Sequence, residues 1–203
     1  MKFALLLGLT ASLIALPRFS IAAQVYPLTA KMVTEKLESM ELPRIRLEGK
    51  RDIQLDYYEA FAIDKPKDES FLMTHRYLPN LEFSLTVFSS SEIPGGVTAD
   101  SITRYLRKKS EDAVSRKEYF EVIAMPSNDS EPTKIRFLGA KPITIEYAIK
   151  REINGEPTRV IVQENWAQLD GETYLLYLEA PEDRFDSFFK QSKSIANSMF
   201  FLN

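Results

Sequence analysis

The stretch "YLLYLEAPEDRFDSFFKQSKSIANSMFF", residues 174–201, decides the fold. Its opening apolar run reads as a strand, and Pro181 breaks it. Proline has no N–H to lose at the first helical position, and Glu182 and Asp183 follow where the positive end of a helix dipole favours acids. The break therefore starts a helix, one that runs out with the chain. Phe185, Phe188, Phe189, Ser192, Ile195, Ala196 and Met199 fall on one arc of it, with Arg184, Asp186, Lys190, Gln191, Lys193 and Asn197 outside. An apolar stripe of this width must be buried, most economically on the sheet just completed. Burying three phenylalanines at about 1.5–3 kcal/mol each makes this helix a main element of the core.

Upstream, "PITIEYAIKRE" alternates Ile143, Ile145, Tyr147 and Ile149 against Thr144, Glu146, Ala148 and Lys150, the signature of a strand with one buried face. The turn "INGEPT" leads to "RVIVQENWAQ", where Val160, Val162 and Trp166 keep the alternation and Glu164 interrupts it. Asp170-Gly171 then turns the chain into "TYLLYLEA", completing an antiparallel meander. Nearer the N-terminus, "LTAKMVTEKLESMELP" fits a helix capped by Thr29 with Val33, Leu37 and Met40 on one side. "LDYYEAFAID", "SFLMTHRYL" and "LEFSLTVFSS" read as three strands, and "TADSITRYLRKKSEDAV" as a third, central helix, capped by Thr98. "KEYFEVIAMP" and "TKIRFLGAK" are further strands around the polar loop "SNDSEP". The order implies an α+β fold, an antiparallel β-sheet flanked by helices.

The first residues, "MKFALLLGLTASLIALPRFSIAAQ", place Lys2 before an apolar core that ends at Leu16, then Pro17 and the triplet Ser20-Ile21-Ala22. That is the layout of a secretory signal peptide, and the run is shorter than the roughly 20 residues a membrane span needs. Residues 1–22 are thus expected to be a leader and 23–203 a single α+β domain, periplasmic or extracellular, with no integral span once the leader is cut. Without Lys2 and Arg18 the 26 basic residues fall to 24 against 29 acidic, taking the formal charge from −3 to −5 and speaking against nucleic acid as a partner. The chain has no cysteine, which suits export into a bacterial envelope better than a disulfide-stapled secreted scaffold. About 180 residues suffice for one domain that buries about 70% of its unfolded surface.

The late meander, the central helix after a strand pair, and the ending with Ile195, Ser198 and Phe201 resemble the Mog1/PsbP-like α/β/α sandwich domains. The resemblance covers most of the mature chain as a pattern and is specific only toward the C-terminus, where its residues are packing residues. It implies a binding or assembly module, since members are mostly non-enzymatic assembly factors, binders or envelope proteins. No functional residue carries over by position.

Chemistry is sparse. With no cysteine and a single histidine, the usual zinc sets cannot be assembled, and no nucleophile-elbow, P-loop or Rossmann glycine pattern occurs. No cofactor and no metal site are expected. His75 sits in a strand with Phe71 and Met73 on its face, where a structural hydrogen-bonding role is the commoner one. Glu164 lies mid-strand between Val162 and Trp166: it is either buried with a partner, marking a pocket, or, as is commoner, turned to solvent by a bulge. Arg104, Arg107, Lys108 and Lys109 cluster in "RYLRKKS", on what should be the exposed side of the helix, a basic patch for an acidic partner or an ordinary solvated face. Two readings follow. The favoured one is an exported, non-catalytic binding or assembly module of the cell envelope with a protein partner. The alternative is a secreted hydrolase or small-ligand-binding protein with a pocket near His75, Glu164 and Trp166.

Overall fold

The computed structural model describes residues 24–37, 40–64, 70–78, 80–89, 96–126 and 135–202. Residues 1–22, expected to be a leader, and the "SNDSEP" loop lie outside them. The elements are β1 (Val25–Tyr26), β2 (Thr29–Leu37), β3 (Met40–Glu48), β4 (Ile53–Asp56), β5 (Phe61–Asp64), β6 (Phe71–His75), β7 (Glu82–Ser89), α1 (Ala99–Ser115), β8 (Phe120–Ala124), β9 (Ile143–Ile153), β10 (Glu156–Leu169), β11 (Glu172–Pro181), α2 (Glu182–Asn197) and β12 (Phe200–Phe201). The large antiparallel sheet runs β5-β6-β7-β11-β10-β9-β8, with β1 added on β7; a smaller sheet runs β12-β4-β3-β2.

Local chemistry explains the C-terminal meander. Asn154-Gly155 and Asp170-Gly171 both take positive φ, the pairs at 54° and 83° and at 51° and 83°, as a two-residue turn between twisted strands requires. These turns lock the β9–β10 and β10–β11 registers, and alternation then sorts side chains to the two faces of the sheet. One face carries Phe83, Leu85, Ile161, Leu176 and Leu178, sealed by Phe188, Ile195 and Ala196 of α2 and by Ile45, Leu47, Ile53 and Leu55 of the small sheet. The other carries Ile145, Tyr147, Val162, Trp166 and Leu175 under Ile102, Tyr105 and Leu106 of α1. The fold is α+β, an antiparallel sheet with a helix on each face, and no helix of the described residues is long and apolar enough to cross a membrane.

Four expectations are corrected. The segment read as a helix from Thr29 is the β2–β3 hairpin, paired from Thr29↔Glu48 to Leu37↔Met40. Its apolar spacing suits a helix, but "RIRLE" supplies a partner strand whose Ile45 and Leu47 enter the core, while Lys31–Glu48 and Arg44–Glu35 pair charges between the strands. Tertiary pairing outweighs a weak local preference. "LDYYEAFAID" is two strands, because the chain turns between Asp56 and Phe61 and passes from the small sheet to the large one. The described part of "TKIRFLGAK" is a turn with one isolated bridge, Phe137↔Ala140, where Leu138 and Gly139 take positive φ. Finally, α2 stops before the chain does. Pro181 is its N-cap rather than its first residue, Asn197 is its last, and Phe200–Phe201 pair with Gln54 and Ile53 of β4.

Candidate functional site

The placement of α1 sets the site. Thr98 Oγ1 accepts from the Ser101 N–H at 3.2 Å and Ser101 Oγ from the Thr98 N–H at 2.9 Å, a reciprocal cap. Just before it, Gly96 lies at φ 74° with Gln168 Oε1 only 3.0 Å from where a Cβ would stand, and Gln168 accepts from the Val97 N–H. The start of the helix is thereby pinned to β10. Ile102, Tyr105, Leu106 and Ala113 then face the sheet, and so does Lys109, one turn beyond Tyr105.

Lys109 is consequently not part of an exposed patch. Its side chain is 15% exposed, and its Nζ donates to Glu164 Oε1 at 2.6 Å, Tyr147 Oη at 2.6 Å and Tyr105 Oη at 3.1 Å. Arg104, Arg107 and Lys108 remain exposed. Glu164 keeps its strand register, pairing Tyr177 and Ile145, so no bulge turns it outward. Only 1% exposed, it accepts from the Tyr147 hydroxyl at 2.7 Å, and its Oε2 accepts from Trp166 Nε1 at 3.0 Å. Burial works most strongly against the Lys109 ammonium, but Glu164 and Tyr105 together outweigh it and the lysine pKa is raised. Desolvation, reinforced by Glu164, also raises the Tyr105 and Tyr147 hydroxyls.

A second pair lies on the same face. Arg151 grips Glu179 in a fork, Nε to Oε1 and Nη2 to Oε2 both at 3.0 Å, and the Tyr177 hydroxyl donates to the same carboxylate. Burial opposes the Arg151 charge but the Glu179 hydrogen bonds and charge outweigh it, while desolvation holds Tyr177 far up in its neutral form. These groups floor a cleft of about 560 Å³ that opens between α1, β8 and the part of the sheet that α1 leaves uncovered. Ala113, Phe120 and Leu175 give it apolar wall, and Ser84 and Thr86 of β7 add hydroxyls.

Of the pocket expected around His75, Glu164 and Trp166, only the last two meet. His75 follows Phe71 and Met73 on the opposite face, its ring 5.2 Å from Phe61, which in turn contacts Phe188 of α2. Its Nδ1 accepts from the Tyr77 and Leu78 N–H groups at 3.3 and 3.2 Å, capping the turn after β6, and desolvation lowers its pKa. The sheet itself separates His75 from Glu164 and Trp166, which share the other face. Lys109 as the partner of Glu164 was within reach of sequence reasoning, because it continues the 102, 105, 106, 113 stripe; Arg151–Glu179 carried no such signal. Among the described residues no cluster of His, Asp and Glu is placed to hold a metal ion.

Neither a protein-family model nor a curated protein matches the chain. Similar solved structures include Mycobacterium tuberculosis LpqN, involved in cell envelope biogenesis (8% identity, TM-score 0.46, covering 87% of this chain and 92% of that one). Another is the cyanobacterial PsbP of Synechocystis (16% identity, TM-score 0.43, 74% and 86%), which bears one of the names of the family that the C-terminal residues resemble. A third is a Pseudomonas aeruginosa protein of unknown function (11% identity, TM-score 0.35, 80% and 94%).

Proposed function

We propose that the protein is an exported, non-catalytic binding module of the cell envelope, and that it holds its partner in the cleft under α1. The observation that carries this reading is the internal pairing of the floor, Lys109 with Glu164 and Arg151 with Glu179, beneath apolar walls. General acid–base catalysis uses a group poised to exchange a proton near the working pH. Here Lys109 and Arg151 are held protonated and Tyr105, Tyr147 and Tyr177 are held neutral. Such a floor fixes the orientation of a partner's polar group through its hydroxyls, while its own charges cancel and the apolar walls take the partner's apolar surface. Export rests on the leader pattern of residues 1–22 and the cysteine-free chain. Arg104, Arg107 and Lys108, exposed on the same helix, give an acidic partner a second contact.

The test is capture from envelope extract with the tagged protein, an Ala113→Trp variant that fills the cleft, and an Arg107→Glu/Lys108→Glu variant. A partner retained by the parent and lost by Ala113→Trp, with unchanged thermal unfolding, is the expected result. Equal retention by Ala113→Trp sinks the cleft as the binding site. Loss only in the double variant moves the site to the outer surface of α1. An intact-mass measurement on the fractionated cell adds the export arm, and a cytoplasmic chain retaining Met1 overturns it.

A further inference from the structure

On the face of the large sheet opposite the cleft, β9 and β10 carry four polar side chains in two register pairs, Gln163 opposite Glu146 and Asn165 opposite Thr144. The adjoining pair on that face, Ile161 with Ala148, is apolar, as is Ala167 beyond. The polar pairs floor a second cavity of about 290 Å³, walled by Phe185 and Phe189 of α2, whose rings stack 6.1 Å apart. This is a separate site from the cleft, and it is independent of the function proposed for the cleft.

Polar groups at core-facing positions are costly unless partnered, and here the partnering runs in one direction. Thr144 Oγ1 donates to Asn165 Oδ1 at 2.8 Å, Asn165 Nδ2 donates to Gln163 Oε1 at 3.3 Å, and Gln163 Nε2 donates to Glu146 Oε2 at 3.3 Å. Asn165, fully buried, is fixed further by donation to the Leu176 carbonyl at 3.3 Å. The chain of bonds ends at a carboxyl. That last bond uses one of the two oxygens of Glu146 and one of the two amide hydrogens of Gln163, so this end of the chain has both an acceptor and a donor to offer a ligand. A hydroxyl is the group that both gives and takes at such a place; an ammonium can only give, and a carboxylate or phosphate only takes. Among the described residues no lysine or arginine lines the cavity, and Glu146 and Asp186 both do, which disfavours an anionic ligand. Desolvation raises the Glu146 carboxyl, against the Gln163 hydrogen bond and together with the nearby Asp186, as suits a site made for neutral ligands.

We propose that this cavity binds a neutral, hydroxyl-rich ligand of the sugar class, one hydroxyl bridging Glu146 and Gln163 while a C–H face of the ring lies on Phe185 and Phe189. Pockets of this kind combine apolar wall with a few fixed polar groups, and 290 Å³ is near the lower end of their range.

The experiment is an NMR titration of the labelled protein with the methyl glycosides of glucose, galactose and mannose, and with butylammonium chloride and glucose 6-phosphate for comparison. Expected is a saturable shift of amides in 144–146, 163–165 and 185–189 with at least one glycoside. Phe189→Ala, which removes a wall, and Glu146→Leu, which removes the acceptor, should each weaken binding about threefold to tenfold, the worth of one modest contact. Should Glu146→Leu fail to fold, Phe189→Ala decides. The proposal is overturned if no glycoside saturates, if butylammonium or the phosphate saturates these amides in place of a glycoside, or if binding survives the folded variants unchanged.

Discussion

On the α2 face of the large sheet, Phe83, Leu85, Leu176 and Leu178 are sealed under Phe188, Ile195 and the small sheet, whereas their strand neighbours Ser84, Thr86, Tyr177 and Glu179 line an open cleft on the α1 face. The same strands, read one residue out of step, thus follow two sets of rules. On the first face, apolar area removed from water holds the molecule together. On the second, Lys109–Glu164 and Arg151–Glu179 replace part of that area, and each charge is kept by a partner and by tyrosine hydroxyls. A buried ion pair gives little net stability but makes the loss of either member costly. The α1 face is therefore built for a definite arrangement of polar groups, and its stability depends on keeping them matched.

The largest effect that sharpens this contrast is expected from Phe188→Ala. Phe188 is 1% exposed between α2 and the sheet, and its truncation should cost about 3–5 kcal/mol in denaturant unfolding. A cost near that of an exposed residue would mean that the α2 face is not the main core. Lys109→Met comes next, at about 3 kcal/mol, because it strands Glu164 without its cation. Adding Glu164→Met removes the stranded charge but also the acceptor of Tyr147 and Trp166, so it should recover only part of the loss, about 1–2 kcal/mol. If the double variant is instead as unstable as the single one, the pair itself stabilises and the contrast between faces fails. The smallest effect concerns His75. Its pKa is lowered from 6.5, so the folded protein favours the neutral ring; the stability this confers is present above pH 6.5 and is lost as pH falls through the lowered value. His75→Asn keeps an acceptor for the turn N–H groups and should flatten that slope in unfolding curves below pH 6.5. A slope that persists in the variant assigns it to another group.

The elements legible in the sequence share one property: the signal lies within each element. Pro181 with Glu182 and Asp183 marks the start of α2, Thr98 caps α1, and the Asn-Gly and Asp-Gly pairs lock the hairpins. The β2–β3 hairpin was not legible, since its apolar spacing fits a helix until β3 and β4 are known to lie beside it. For the candidate site the same limit applies more sharply. That Glu164 stays buried depends on Lys109, 55 residues away, arriving from the opposing helix, and that His75 lies apart from Glu164 depends on which face each strand turns to α2.

Caps, turns and alternation act over a few residues, and they sufficed for the α+β class, for α1 and α2 and for the C-terminal meander, though not for the segment from Thr29. Which charges are buried together and where the cleft opens follow from long-range packing. A side chain's partner and its exposure are set by residues brought near from distant parts of the chain, and no local spacing records them.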